Sequence, residues 1–143
     1  MVGQNSLDLQ NVSREIEEVG STSNSVLADL SNTHGILQVL DECNNPDVLV
    51  ANAGITMAGR AGTAPWNDLE KMSFLLGTGV AQLIEGVVPS MVRKGEGTII
   101  VVSSIASLID MPNSAVYAAS KSFATRYASS LAREVGPAGV KVT

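Results

Sequence analysis

Apolar positions along the chain fall into two patterns, and each predicts a different kind of element. Four short, near-continuous apolar runs bounded by turn signals, residues 25–28, 47–50, 98–102 and 140–143, read as strands buried on both faces. Between them apolar and polar positions take on helical spacing. Residues 7–19 are charged, mildly amphipathic and stop at Gly20. Residues 34–43 place Ile36, Leu37 and Leu40 on one face. Residues 69–92 are long enough for a major helix, and residues 117–135 form another that stops at Gly136-Pro137. Strand and helix alternating at these spacings predict βαβ crossovers, hence an α/β fold with a doubly wound parallel sheet covered on both faces.

The pattern opens on a helix with no strand before it and stops on the first residues of a strand, Val140-Lys-Val-Thr143. A doubly wound nucleotide-binding domain ordinarily begins with a strand, a glycine-rich turn and a helix whose N-terminus receives a pyrophosphate. No GxGxxG-like or GxxxGxG-like pattern occurs near the start, where Gly3 and Gly20 stand alone. The expectation is a single partial domain over residues 1–143, missing its first and last strands.

Composition narrows the function classes. Of 143 residues, 45% are hydrophobic but only 3% aromatic, so the core is aliphatic. Nine basic and 14 acidic residues give a net charge of −5, without runs of like charge, so neither nucleic acid nor an anionic membrane surface is expected as partner. No apolar run approaches the roughly 20 residues that span a bilayer. The first twenty residues lack the basic and apolar regions of a signal peptide, so the cytoplasm is the expected compartment. Cys43 and His34 are the only residues of their types, which excludes an intrachain disulfide and argues against a metal site. Cys43 reads as a small hydrophobe at a helix end and His34 as a polar residue near a helix start.

The chemistry concentrates at Tyr117-Ala-Ala-Ser-Lys121, with Ser104 thirteen residues upstream at the end of an apolar strand. Tyr and Lys at i and i+4 share one helical face and can address one ligand. A free phenol titrates near pH 10, and an adjacent ammonium favours the phenolate, drawing proton exchange toward neutrality. Ser104 lies at a strand's carboxyl end, where ligands bind in open α/β sheets. The plainer reading makes Tyr117 a half-buried core residue, Lys121 a solvated one and Ser104 a strand terminus. The order of strand, serine, thirteen-residue interval, YxxxK and small-residue helix is much rarer by chance. A hydrolase built on Ser104 fails, since the chain has no G-x-S-x-G elbow and no suitable histidine.

These motifs resemble those of the short-chain dehydrogenase/reductase (SDR) family. Asp47-Val-Leu-Val-Ala-Asn-Ala-Gly-Ile55 is similar to its D-x-L-V-N-N-A-G-I strand and turn, with Ala51 in the first Asn place. Gly97-Thr-Ile-Ile-Val-Val-Ser-Ser104 is similar to its G-x-I-V-x-x-S-S strand, and Tyr117 to Lys121 to its Y-x-A-S-K. Ala28-Asp29-Leu30 resembles the acidic residue after its third strand. The resemblance runs from about residue 3 to the end and is closest to the single-domain type. It implies a Rossmann-like domain and an oxidoreductase moving hydride between NAD or NADP and a secondary alcohol or ketone. Tyr117 is then the general acid/base, Lys121 favours its phenolate and holds the nicotinamide ribose, and Ser104 polarises the substrate oxygen. Asp29 faces the adenine, and Asn52, Ala53 and Gly54 pass the adenosine ribose at close range.

Two departures qualify that implication. Leu76 stands where the family has an Asn that helps place a water linked to the lysine, and Ser73 lies one turn away. The first strand, glycine turn, following helix and most of the second strand are absent, and with them the pyrophosphate site and the choice between NAD and NADP. At the other end the loop that covers the substrate is absent. The alternative function is therefore an inactive SDR fragment acting through helix association. Phe123, Tyr127 and Leu131 recur every four residues on the last helix, which suggests either a homodimer or tetramer interface or packing on the sheet. Trp66, after Pro65, reads as a packing anchor in a loop, and Ile105, Met111 and Pro112 as candidate lining of an apolar substrate pocket.

Overall fold

In the computed structural model, which describes residues 1–43 and 45–143, strands and helices alternate as the pattern predicts. In order they are β1 (Val2–Gly3), α1 (Ser6–Glu18), β2 (Val26–Leu27), α2 (Thr33–Glu42), β3 (Val48–Ala51), α3 (Trp66–Ser73), α4 (Gly79–Lys94), β4 (Gly97–Val101), α5 (Ala115–Val135) and β5 (Val140–Val142). All pairing is parallel, but it forms two sheets: β1 with β2, and β3–β4–β5 with β4 central.

The core explains the strand sequences. Ile99, at the middle of β4, is fully buried among Ile84, Val87 and Met91 of α4 and Leu131 and Val135 of α5. A second cluster joins Val26 and Ala28 to Ile36 and Val39 of α2 and Leu83 of α4, and Leu49 of β3 packs against both clusters. Thus α2, α4 and α5 cover one face. Val2 belongs to that second cluster, whereas a Cβ on its neighbour Gly3 would meet Leu9 Cδ2 of α1 at 3.2 Å. Successive strand residues point to opposite faces, so α1 lies on the other one. There Val48 and Val50 are 54% and 53% exposed, so the second face is covered less than the first.

Local signals set the helix ends. The Asn5 side chain accepts from the amides of Leu7 and Asp8, and Asn32 accepts from Gly35 N at 3.0 Å. Gly35 is required where it stands, because a Cβ would come within 1.9 Å of the Asp29 carbonyl oxygen. Gly95 closes α4 at φ 75°.

Five expectations change. A short strand, β1, does precede α1, pairing Val2 with Val26 and Gly3 with Leu27; two residues are too few to show as an apolar run. On α2 the buried face is Ile36 and Val39, while Leu37 is 50% exposed, because i+1 lies about 100° round the helix. The helix expected at 69–92 begins at Trp66 and is divided by a π-helical turn, Phe74–Thr78, in which Gly79 N donates to Phe74 O five residues back. Trp66 sits in the first turn of α3, not in a loop, and is 71% exposed, so it anchors nothing. The continuous helical stretch Trp66–Lys94, 29 residues long, is apolar enough to span a bilayer by length and composition, contrary to the sequence expectation, but half of its most apolar window is buried inside the fold.

The stripe on α5 is unevenly buried. Leu131 packs into the core. Phe123 is 44% exposed and stacks on Tyr127, with ring centroids 6.5 Å apart and planes 3° from parallel. Tyr127 donates to Glu85 Oε1 of α4 at 2.6 Å. Burial first, then the bond to Glu85, raises the Tyr127 phenol well above its ordinary value.

Candidate active site

The carboxyl end of β4 and the first turns of α5 are fastened together by side chains from both. Lys121 is 8% exposed and donates from Nζ to the Val102 carbonyl at 2.7 Å, which brings its ammonium to the strand end that leads into Ser104. Ser104 starts a short 3-10 turn, Ile105–Ser107, and its Oγ accepts from Ala106 N at 3.2 Å. Tyr117 lies one turn before Lys121, half-buried, and lines a cavity of about 240 Å³ with Met57, Leu69, Met72, Asn113 and Val116. Ile105 is 71% exposed on the outside of its turn.

Hydroxyls missed by the sequence reading hold this junction. Ser103 bonds Thr125 of α5 and donates to Ser107 Oγ at 3.2 Å. Ser107 Oγ donates back to Ser104 O at 2.7 Å, and Ser122 Oγ of α5 donates to Ser107 O at 3.0 Å. The sequence assigned no role to Ser103, yet it pins the turn that carries Ser104. The available hint was hydroxyls at 122 and 125, next to Lys121 on a helix otherwise rich in alanine.

The remaining predicted residues lie at neighbouring strand ends. Asn52, Ala53 and Gly54 are exposed just after β3. Ala53 and Gly54 line a cavity of about 520 Å³ together with Gly3, Gln4 and Ala28 at the ends of β1 and β2. Asp29 follows Ala28 and is exposed; it accepts from Ser31 N at 2.9 Å and from the Gln4 amide. The Ser31 backbone bond, chiefly, holds its carboxyl below the usual carboxylate range. Leu76 is 1% exposed, with Cδ2 only 3.0 Å from where a Gly54 Cβ would be, so hydrocarbon fills the space under the turn after β3. Ser73 is exposed at the end of α3 and does not replace a polar group there.

A nicotinamide cofactor fits one feature of this junction closely. An ammonium carries three donors, and among the described residues buried Lys121 has a single acceptor, the Val102 carbonyl. A buried charge needs further hydrogen bonds to offset its lost hydration. Ribose hydroxyls supply such acceptors. Asn52, Ala53 and Gly54, the residues expected at the adenosine end, are small and exposed and leave room for close approach.

The family model for short chain dehydrogenases matches residues 1–143, and the chain belongs to that family. An uncharacterized oxidoreductase from Myxococcus xanthus is 32% identical over 139 residues, covering 94% of this chain and 55% of the relative. The 3-oxoacyl-[acyl-carrier-protein] reductase FabG of Vibrio cholerae is 31% identical over 131 residues, covering 87% of this chain and 52% of the relative. The chain thus spans about half the length of these curated relatives. Among solved structures, a metagenomic short-chain oxidoreductase in complex with NADP superposes with a TM-score of 0.90 at 28% identity, covering 99% of this chain and 66% of that one. A ketone-specific alcohol dehydrogenase from Comamonas testosteroni gives 0.94 at 22% identity, covering 100% and 59%, and bears on the fold alone. The Rossmann-type α/β fold read from the sequence is therefore established.

Proposed function

We propose that this chain carries the proton-transfer centre of an NAD(P)-dependent oxidoreductase that interconverts a secondary alcohol and a ketone. The observation that supports it most is the buried Lys121 ammonium, held by one carbonyl at the end of the strand that leads to Ser104, one turn from Tyr117. A nicotinamide cofactor held there would supply the hydride exchange with the substrate carbon. Ser104 donates to the substrate oxygen and holds it. Tyr117 gives that oxygen a proton in reduction and takes it back in oxidation. Lys121 would hold the ribose hydroxyls with the donors that Val102 leaves free. Asp29 faces the adenine, with Asn52, Ala53 and Gly54 along its ribose. Leu76, buried under the turn after β3, offers no polar side chain to link Lys121 to solvent. The exposed Phe123–Tyr127 stack on α5 suits pairing with a second copy.

The test is a chimera in which residues 1–143 replace the matching segment of the Vibrio cholerae relative, so that Ser104, Tyr117 and Lys121 come from this chain alone. NADPH-dependent reduction of a ketone panel is expected. Tyr117→Phe should lower kcat by about 10²–10⁴-fold while leaving cofactor affinity intact. Turnover unchanged in that variant sinks the assignment.

A further inference from the structure

The loop between β3 and α3 is fastened to the segment that leads into α5. Gly59 N donates to the Asn113 carbonyl at 2.8 Å, and Asn113 takes φ 65°, a left-handed conformation that asparagine tolerates better than most residues. A tight turn follows in the same loop. The Arg60 carbonyl accepts from Thr63 N at 3.1 Å and from Thr63 Oγ1 at 2.8 Å, and Gly62 takes the φ of 80° that such a turn requires. Arg60 is thus held between two fixed points, one on each side. The two fastened segments wall the cavity of about 240 Å³ that Tyr117 lines. Met57, Leu69 and Met72 make much of its wall apolar, and Arg60 is the one lining residue that carries a charge. Arg60 is exposed, and among the described residues no ion pair engages it.

We infer that this cavity takes a small oxo acid or hydroxy acid whose carboxylate is bound by Arg60 while its oxygen-bearing carbon lies beside Tyr117. That assignment rests on the proton-transfer role proposed for Tyr117 and adds the substrate class to it. Three observations select the ligand. A guanidinium presents parallel N–H donors that match the two oxygens of one carboxylate. A single cation on an otherwise apolar wall balances one negative charge, whereas a phosphate dianion would keep an excess charge beside hydrocarbon. Volume sets the size: a cavity of about 150 Å³ holds benzene, so this one suits a molecule of roughly ten non-hydrogen atoms or fewer. A neutral long-chain ketone satisfies neither the charge nor the volume. Arg60 changes no bond in the reaction; it orients the acid and sorts it from uncharged ketones.

The probe is 4-oxopentanoate, with its methyl ester as the uncharged control. Each is titrated into the purified full chain and followed by the amide NMR shifts of Gly59, Arg60 and Ala115. Saturable shifts are expected with the acid, and affinity for the ester should be about tenfold or more lower, the worth of one charge-assisted pair. Arg60→Gln should weaken acid binding by about the same factor, and Arg60→Lys, which keeps the charge without the fork, should recover part of it. The inference is overturned by absence of saturable shifts with the acid, by equal affinity for acid and ester, or by unchanged acid affinity in Arg60→Gln. The chimera reports on the proton donor separately. It should reduce 4-oxopentanoate, with Arg60→Gln raising KM more than it lowers kcat and Tyr117→Phe lowering kcat. Acid bound through Arg60 but reduced equally fast by the Tyr117→Phe chimera would keep the carboxylate site and sink the proton donor. Reduction that needs Tyr117 but is indifferent to Arg60 would do the reverse.

Discussion

The two sheets of this protein differ in what holds them. The β3–β4–β5 sheet has a central strand paired on both sides, and the Ile99 side chain at its middle is fully buried between α4 and α5. The β1–β2 pair has two residues in each strand and is held by α2 through Val26 and Ile36. Ser104, Tyr117 and Lys121 all belong to the first region. The residues assigned to the adenosine end are divided, with Asp29 on the second region and Asn52, Ala53 and Gly54 facing it from β3. The proposed proton-transfer centre needs fixed geometry, and the three-stranded sheet with its hydroxyl-pinned turn offers it. The small pair of strands supplies a surface.

The sharpest way to break this comparison is Ile99→Ala. It should cost about 2–5 kcal/mol in urea unfolding, with one cooperative transition that includes α4 and α5. A loss below about 1 kcal/mol would mean that the larger sheet is not the stable body of the fold. Gly35→Ala tests the smaller region, since the new Cβ runs into the Asp29 carbonyl. We expect roughly 1–3 kcal/mol, with faster hydrogen exchange confined to β2 and α2. Faster exchange spreading equally into β4 would show that the two regions unfold as one.

Ser103→Ala removes the bonds to Thr125 and Ser107 and should cost about 0.5–1.5 kcal/mol. In the chimera it should lower kcat more than it raises KM, because it loosens the Ser104 turn. Proportional changes in both would place Ser103 in packing alone. The smallest effect belongs to Asp29. Its carboxyl is held below the ordinary 3.8, so its contribution to stability is present above that pH and is lost as the pH falls through the lower folded value. Asp29→Asn should change stability at pH 7 by under about 0.5 kcal/mol, because the group is exposed. The difference from the parent should close as the solution is acidified past 3.8. A thermal melt series from pH 7 to about 2.5 checks it, and a difference that grows on acidification reverses the assigned direction.

Much of the site was legible because its signals are local. Tyr117 and Lys121 share a helical face by spacing alone, and Ser104 follows an apolar run that has few readings other than a buried strand. Leu76 in the usual Asn position was visible in sequence as a departure, but its consequence was not: packing against Gly54 under the turn after β3 depends on how the π-helical turn Phe74–Thr78 approaches that loop. Ser103, Thr125 and Ser122 were hard to read for a related reason: the hydroxyls beside Lys121 are visible in sequence, but partners 15 and 22 residues away are not. Trp66 shows the reverse case, a large apolar residue that suggests burial from composition and lies in solvent because the first turn of α3 starts outside the sheet.

By itself the sequence determined the alternation of strands and helices, the parallel α/β class and the Ser–Tyr–Lys motif, because periodicity and short spacings are properties of neighbouring residues. Only the tertiary structure decided that the strands form two sheets, that three helices crowd one face, and that Arg60 and Tyr117 line one cavity. Those are consequences of how distant segments divide hydrogen bonds and buried area among themselves, and no local pattern encodes that division.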